Sequence, residues 1–320
     1  MDLTLIPPYK VLVTGATGHI GQHLVRRLRA MGHDVNTFER YVSSRYGISS
    51  VQDKVLYGEI TDYYAVREAV KKSNPTIVCH LAALGTQDLY AYQHPHENLL
   101  VHALGTINIT EAVRDVVGNL ELFLHASSSE VYGNHTYPDE FPLRENTPLI
   151  PNSPYAVGKI AAENHINYLT QAYAFPAVIL RPFNTYGFGP ARTLIDRVVR
   201  EMLQKQPEIN LGDPKPIRDW LHITDHVNAY IKCIENIEKA KGQTFNFCTG
   251  IPIPIDETVD QIRALTAYRG SINWNTQPQR PNDIFALFGS YEKAESLLGW
   301  KPEQTHVQGI RKLIEALQNG

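Results

Sequence analysis

Val11-Leu12-Val13-Thr14-Gly15-Ala16-Thr17-Gly18-His19-Ile20-Gly21 runs from an apolar triplet directly into glycines at every third position. Val11 to Val13 reads as a buried strand. Ile20 to Met31, with Leu24, Val25 and Leu28 on one face, reads as the helix that follows. Glycine in such a turn lets the backbone bend tightly and lets a pyrophosphate reach the free N–H groups and positive dipole end of the helix. A glycine triplet alone also marks ordinary turns. Its place between the first strand and the first helix makes Gly15, Thr17, Gly18, His19, Ile20 and Gly21 candidates for holding a dinucleotide.

Outward from this turn the alternation continues. Gly32-His33-Asp34 ends the helix, and strands are expected at Val35 to Phe38, Val55 to Tyr57, Thr76 to Leu81, Leu120 to Ala126 and Ala177 to Arg181. Helices are expected at Tyr63 to Lys72, stopped by Ser73-Asn74-Pro75, at Thr106 to Val117 and at Tyr155 to Tyr173. This alternation predicts an α/β fold, a doubly wound parallel (Rossmann) sheet whose strands are apolar because helices cover both faces. Beyond Arg181, prolines at 182, 190, 207, 214, 216, 252, 254, 278 and 281 loosen the pattern. That stretch reads as a smaller, loop-rich C-terminal substrate domain, with Phe245 to Phe247 one more strand of the main sheet. The expected division is 1–181 for the dinucleotide-binding domain, with 218–250 returning to it, and 182–217 with 251–320 for the substrate-binding domain.

Composition narrows the classes. The chain has 320 residues, is 43% hydrophobic and 20% charged, and can bury a substantial core. Its net charge of -3 lacks the basic footprint of a general nucleic-acid binder. Cys79, Cys233 and Cys248 form no CxxC pair, and the N-terminus has neither a basic region nor a long apolar run. No stretch approaches the about 20 apolar residues of a membrane span. A cytoplasmic protein is the expectation. His94-Pro95-His96 and His102 lie close together but without a carboxylate or thiol partner, so no metal site is expected.

Chemistry gathers in three further places. Glu39 ends the second strand, about twenty residues past the turn, where an acidic side chain binds ribose hydroxyls. It would repel a 2'-phosphate and so favours NAD over NADP, although the neighbouring Arg40 could receive that phosphate. Tyr155-Ala156-Val157-Gly158-Lys159 places a phenol and an ammonium on one helix face. An ammonium near a phenol is expected to lower its pKa towards neutrality, so that Tyr155 can exchange a proton with a sugar hydroxyl. His125-Ala126-Ser127-Ser128-Ser129-Glu130-Val131-Tyr132-Gly133 leaves a strand at the sheet edge where ligands sit, and a hydroxyl there can orient the substrate oxygen.

Together these segments resemble the extended short-chain dehydrogenase/reductases that modify nucleotide sugars. The resemblance also rests on Leu81-Ala82-Ala83, Ser153-Pro154-Tyr155, Arg181-Pro182-Phe183-Asn184-Thr185-Tyr186-Gly187, Arg218-Asp219-Trp220-Leu221-His222-Ile223-Thr224-Asp225 and Arg280-Pro281-Asn282-Asp283. It implies NAD as cofactor and a nucleotide-diphosphate sugar as substrate. It implies Ser128, Tyr155 and Lys159 as the catalytic triad, Tyr155 and Lys159 also touching the cofactor. Glu59 and Ile60 match the adenine-contacting pair, with Glu where the family has Asp. Leu81, Ala82 and Ala83 match the turn beneath the ribose, and Pro182 and Phe183 flank the nicotinamide. Ser128 and Ser129 fall to the substrate side, as do Asn184 and Arg218 at the diphosphate, with Arg280 a further candidate. Guanidinium forks suit phosphate oxygens, and a surface salt bridge is the alternative for either arginine. His102 stands where the family has asparagine, so its imidazole either replaces that amide at the cofactor or the contact is absent. Relatives are often homodimers through helices matching Thr106 to Val117 and Tyr155 to Tyr173.

Glu130 discriminates among reactions. Simple 4-epimerases of the family commonly carry a small or apolar residue there, whereas 4,6-dehydratases and the decarboxylases of nucleotide glucuronic acids tend to have glutamate. A dehydratase oxidises C4, removes the C5 proton, expels the C6 hydroxyl and returns hydride to C6, and Glu130 can be its base. Many dehydratases have aspartate where Ser129 stands, which leaves Glu130 to act alone or through water. The expectation is 4,6-dehydration, with 4-epimerisation the alternative. A UDP-glucuronate decarboxylase stands behind these, because the Ser153-Pro154-Tyr155 and Phe183-Asn184-Thr185-Tyr186-Gly187 contexts look more like the dehydratases and epimerases, and so does a non-catalytic dinucleotide sensor, because Tyr155 and Lys159 are both retained.

Overall fold

A computed structural model of the protein describes residues 8–40, 54–84, 92–189, 193–278 and 281–319. Its centre is a seven-stranded sheet built from β1 (Lys10–Thr14), β2 (Asp34–Glu39), β3 (Val55–Tyr57), β4 (Ile77–His80), β5 (Leu122–Ala126), β6 (Ala177–Pro182) and, last in sequence, β11 (Thr244–Phe247). The strand order is β11-β6-β5-β4-β1-β2-β3, and every pairing is parallel. The chain leaves β1 for β2 on one side and later returns to place β4 on the other. That reversal opens a crevice at the strand ends beside β1, the place where such sheets bind ligands.

The strands are apolar on both faces because two cores meet across them. Val11, Val13, Cys79, Leu122, Leu124, Val178 and Leu180 feed one core, shared with α1 (His19–Ala30) and the later helix Ile223–Glu235. Leu12, Val78, Phe123, Ala177 and Ile179 point the other way, towards α2 (Tyr63–Ser73), α4 (Gly105–Val116) and α5 (Pro154–Tyr173). This is the period-two alternation of a strand buried on both sides. Asp62 caps α2 by accepting from the N–H groups of Tyr64 and Ala65, and Asn74 ends it in a left-handed conformation at φ 38°. α4 continues from α3 (Pro95–Leu99) through a π-helical turn at Leu100–Leu104, which carries His102.

The second half corrects the expectation of a loop-rich tail. It contains α6 (Leu194–Leu203), α7 (Ile223–Glu235), a short α8 (Ile237–Ala240), α9 (Ile255–Thr266), α10 (Glu292–Leu298) and α11 (His306–Asn319). Its small sheets pair β7 (Asn184–Tyr186) with β10 (Trp220–His222), β8 (Glu208–Asn210) with β13 (Ser271–Asn273), and β9 (Ile217–Arg218) with β12 (Ile253–Pro254) and β14 (Ala286–Leu287). The prolines stand at the joints: Pro207 and Pro216 each precede a strand, and Pro254 is the N-cap of α9. A separate core of Tyr186, Ile195, Val199, Trp220, Val259 and Ile310 holds this part together. Ala294, Leu298 and Trp300 instead pack in the first core with Phe245 and Phe247, so α10 belongs to the sheet layer rather than to the smaller part where 251–320 was expected.

A buried ion pair links helix to sheet. Glu163 on α5 and Arg181 on β6 are 1% and 5% exposed and joined by two hydrogen bonds, Nε to Oε1 at 3.0 Å and Nη2 to Oε2 at 2.6 Å. Arg181 also donates to the Tyr132 hydroxyl and to the Glu145 carbonyl oxygen, and Ser127 donates its hydroxyl hydrogen to Glu163. Such a pair adds little net stability over apolar residues, but removing one partner strands a buried charge at a cost of about 3–5 kcal/mol. Arg181→Met is therefore expected to lose about 3–5 kcal/mol in urea unfolding, and Arg181→Met with Glu163→Leu to recover most of it. A double variant no more stable than the single one contradicts this assignment.

Candidate active site

Four strand ends deliver the site. Gly15 follows β1, Leu81 follows β4, Ser127 and Ser128 follow β5, and Phe183 follows β6. Gly15 has φ +72°, and a Cβ there would stand 2.8 Å from the Ala82 nitrogen and the Leu81 carbonyl carbon. A Cβ on Gly21 would stand 2.2 Å from the Gly15 oxygen. Only glycine lets the turn lie this close to the β4 loop and to its own helix.

The turn borders a cavity of about 340 Å³. Of the residues expected at the cofactor, Gly15, Gly18, His19, Ile20, Gly21, Leu81, Ala83, Tyr155, Lys159, Pro182 and Phe183 line it. Ser128, Ser129, Glu130 and Asn184, expected for catalysis or substrate, line it as well. Ala82 donates its N–H to the Thr14 hydroxyl and anchors the loop from behind. Thr17, Glu39, Arg40, Glu59 and Ile60 are not in this wall. Glu39 is 6% exposed and accepts from the Ala16 N–H at 2.5 Å and the Thr17 hydroxyl at 2.9 Å, bracing the turn. Burial raises its pKa against these two hydrogen bonds. Glu59 and Arg40 are exposed, and Ile60 is packed under Gly105 with its carbonyl oxygen held by Asn108.

The helix with the phenol and ammonium starts where Ser153 caps the Ala156 N–H and Pro154 fills the first turn. Tyr155 is 7% and Lys159 2% exposed. The expected fall in the Tyr155 pKa is not found: burial and the Glu130 charge push it above the ordinary tyrosine value, against a hydrogen bond from Ser128. The physical reason is that Lys159 is committed elsewhere. Its ammonium donates to the Ala126 carbonyl oxygen at 2.5 Å and stands 5.7 Å from the Tyr155 ring centre. Burial drives the Lys159 pKa down to about 8, and Glu163 opposes that fall. Ser128 accepts from the Glu130 N–H at 3.1 Å, which sets the short 3-10 turn Ser129–Tyr132. His102 does not reach the cavity. It is 1% exposed, with its ring edge-on to Tyr155 at 4.8 Å, and Gly158 lets it approach because a Cβ there would lie 3.0 Å from that of His102.

A second cavity, of about 710 Å³, opens beside the first and shares Glu130, Asn184 and Thr185 with it. Arg218 lines it, 3.6 Å from Asp283 in an ion pair and bonded to the Ile217 and Phe285 carbonyl oxygens. Arg280 lies outside the described residues. Sequence reasoning missed Arg197 of α6, a second guanidinium in this wall, because its helix was read as loop. It also missed Asp219, 0% exposed, whose carboxylate accepts from the Thr249 and Gly250 N–H groups and the Thr249 hydroxyl and so ties the start of the β12 segment to Arg218. Asn184 is fixed by donating to the Asp219 carbonyl oxygen at 3.3 Å. Thr185, His226 and Tyr230 also line the smaller cavity; Thr185 lies in a motif quoted above without a role assigned to it, and no local motif marked His226 or Tyr230.

Comparison with known proteins identifies the family. A family model described as GDP-mannose 4,6 dehydratase matches residues 12–313. The dTDP-glucose 4,6-dehydratase 1 of Escherichia coli is 28% identical, covering 96% of this chain and 92% of that protein. The UDP-glucose 4-epimerase of Corynebacterium glutamicum is 27% identical over 94% of this chain and 93% of its own length. The UDP-glucose 4-epimerase of Thermus thermophilus, solved in complex with NAD, superposes with a TM-score of 0.86 at 25% identity, covering 97% of this chain and 99% of that one. No helix among the described residues is long and apolar enough to cross a membrane. With the match running over nearly its whole length, the chain belongs to the GDP-mannose 4,6 dehydratase family of extended short-chain dehydrogenase/reductases, the nucleotide-sugar epimerases and dehydratases.

Proposed function

We propose that the chain binds NAD in the smaller cavity and a nucleotide-diphosphate sugar in the larger, and dehydrates that sugar to its 4-keto-6-deoxy form. The observation that carries this reading is Glu130, the one carboxylate among the described residues shared by both cavity walls, in the electrostatic field of Tyr155. The glycine turn fits a pyrophosphate, since the spaces a Cβ would fill at Gly15 and Gly21 are the ones that let the backbone close up. Glu39 at the end of β2 favours ribose hydroxyls over a 2'-phosphate. Bound there, NAD would supply the acceptor for the hydride of the sugar C4 and the donor for its return.

The side chains divide the remaining work. Tyr155 takes the proton of the 4-hydroxyl, and Ser128, already in hydrogen-bond contact with that phenol, orients the same oxygen. Burial holds the phenol protonated at rest, so a positive charge must come closer before it can act as a base. Lys159 supplies one when its ammonium leaves the Ala126 carbonyl oxygen. With C4 a ketone, the C5 proton is acidic and Glu130 removes it. The C6–O bond breaks, Glu130 passes the proton to the departing hydroxyl to form water, and the returning hydride at C6 with a solvent proton at C5 would complete the 4-keto-6-deoxy sugar. Arg218 and Arg197 offer two guanidinium groups to the diphosphate. Ser129 favours the competing reading, C4 epimerisation, because its hydroxyl is buried at 2% exposure and stands where a second acid beside Glu130 would be needed.

The exposed apolar side chains Leu100, Leu104, Val157 and Tyr168 lie on the π-helical turn and on α5, and we read that face as the contact with a second copy of the chain.

Two outcomes follow. Wild-type protein given UDP-, dTDP-, GDP- and CDP-sugars is expected to convert one of them to a product lighter by one water. Glu130→Gln should slow that conversion by about 10²–10⁴-fold while the near-ultraviolet absorbance of reduced nicotinamide accumulates, and unchanged turnover would rule out dehydration. The second concerns stability. The Lys159 pKa lies at about 8 in the fold, below its ordinary 10.5, so the charged form destabilises the fold at neutral pH, and this cost fades as pH rises from about 8 to 10.5. Lys159→Met should therefore melt above wild type at pH 7, with the gap closing over that window, and a gap independent of pH would contradict the assignment.

A further inference from the structure

Two side chains that line the smaller cavity have no part in the chemistry above. His226 and Tyr230 stand one turn apart on α7, 2% and 0% exposed, with rings stacked at 5.8 Å and 21°. Neither His226 Nε2 nor the Tyr230 hydroxyl has a hydrogen-bond partner among the described residues, and both atoms are sealed from solvent. Buried polar groups are nearly always paired, and an unpaired one calls for an explanation; both residues line the cavity, so a group bound there can supply the partner.

Thr185 decides which hydrogens these groups carry. Its hydroxyl donates to the Phe183 carbonyl oxygen at 3.1 Å, so towards His226 Nδ1, 2.8 Å away, it offers only a lone pair. In that arrangement Nδ1 bears the imidazole hydrogen and Nε2 is a bare acceptor. Burial keeps the ring neutral, its pKa pushed down to about 3, and holds the Tyr230 phenol protonated. One acceptor and one donor thus sit side by side in the wall that also holds Ile20, Pro182 and Phe183.

A primary amide is the complement of that pair, with N–H donors and a carbonyl acceptor on one carbon. We propose that His226 and Tyr230 hold the carboxamide of the nicotinamide ring, Nε2 accepting from its N–H and the phenol donating to its carbonyl oxygen. This rests on the dinucleotide reading of the cavity. Pinning the carboxamide fixes which face of the ring the sugar meets, a role no glycine-turn contact can play.

The test is calorimetric titration of the full chain, freed of bound nucleotide, with NAD, with 3-acetylpyridine adenine dinucleotide and with ADP-ribose. The acetyl group keeps the carbonyl but has no N–H, and ADP-ribose has no ring. Wild type is expected to bind NAD about tenfold more tightly than the acetylpyridine analogue. His226→Phe should bind these two alike. Tyr230→Phe, which removes a single oxygen, should weaken both about tenfold. ADP-ribose affinity should be unchanged in each variant. A His226→Phe protein that keeps the preference for NAD, a Tyr230→Phe protein that binds both dinucleotides as wild type does, or either variant losing ADP-ribose affinity as well, overturns the assignment. Wild-type protein that binds none of the three overturns the dinucleotide reading itself.

Discussion

A lysine ammonium at 2% exposure is the constraint around which the site is organised. Lys159 cannot be buried charged without partners, and its partners reach across the molecule. The Ala126 carbonyl oxygen, at the end of β5, takes one of its hydrogens. Glu163, one turn further along the helix, supplies the opposing field. Glu163 is in turn held by Arg181 of β6 and by Ser127, and Arg181 leans on Tyr132, whose hydroxyl donates to Asn246 of β11. One charge thereby fixes the catalytic helix against three strands and sets the serine segment with Ser128 and Glu130 at the cavity wall.

That network also explains why the acidity of Tyr155 runs opposite to the simple pairing argument. The i, i+4 spacing does put phenol and ammonium on one helix face, and it says nothing about solvation. Burial penalises the phenolate and the ammonium alike, so each group is pushed towards its neutral form. The pair is poised to respond when charge arrives nearby, and is not already ionised at rest.

The main sheet was legible because doubly covered strands leave short apolar runs bounded by turn residues. Val55–Tyr57 matches the expected bounds, and the strands at β1, β2, β4, β5 and β6 differ from theirs by no more than two residues at either end. The tail was not legible, because prolines at the joints, such as Pro207 and Pro216, look the same in sequence as prolines that disrupt. The site divides similarly. Tyr155, Lys159, Ser128 and Glu130 sit in contiguous segments whose spacing carries the chemistry. Thr185 of β7, Arg197 of α6, and His226 with Tyr230 of α7 come from three elements that meet only in the folded chain. Glu39 was found at the expected place, but its bracing of Ala16 and Thr17 depends on a loop geometry that residue order does not encode.

The central claim is that Glu130 moves the C5 proton of a sugar transiently oxidised at C4. The most direct measurement is the product mass after turnover in deuterium oxide. Dehydration predicts a product lighter by one water that carries one solvent deuterium on carbon, because the proton taken from C5 is replaced from solvent. An isomeric product of unchanged mass with no deuterium on carbon would contradict the account and assign the site to epimerisation.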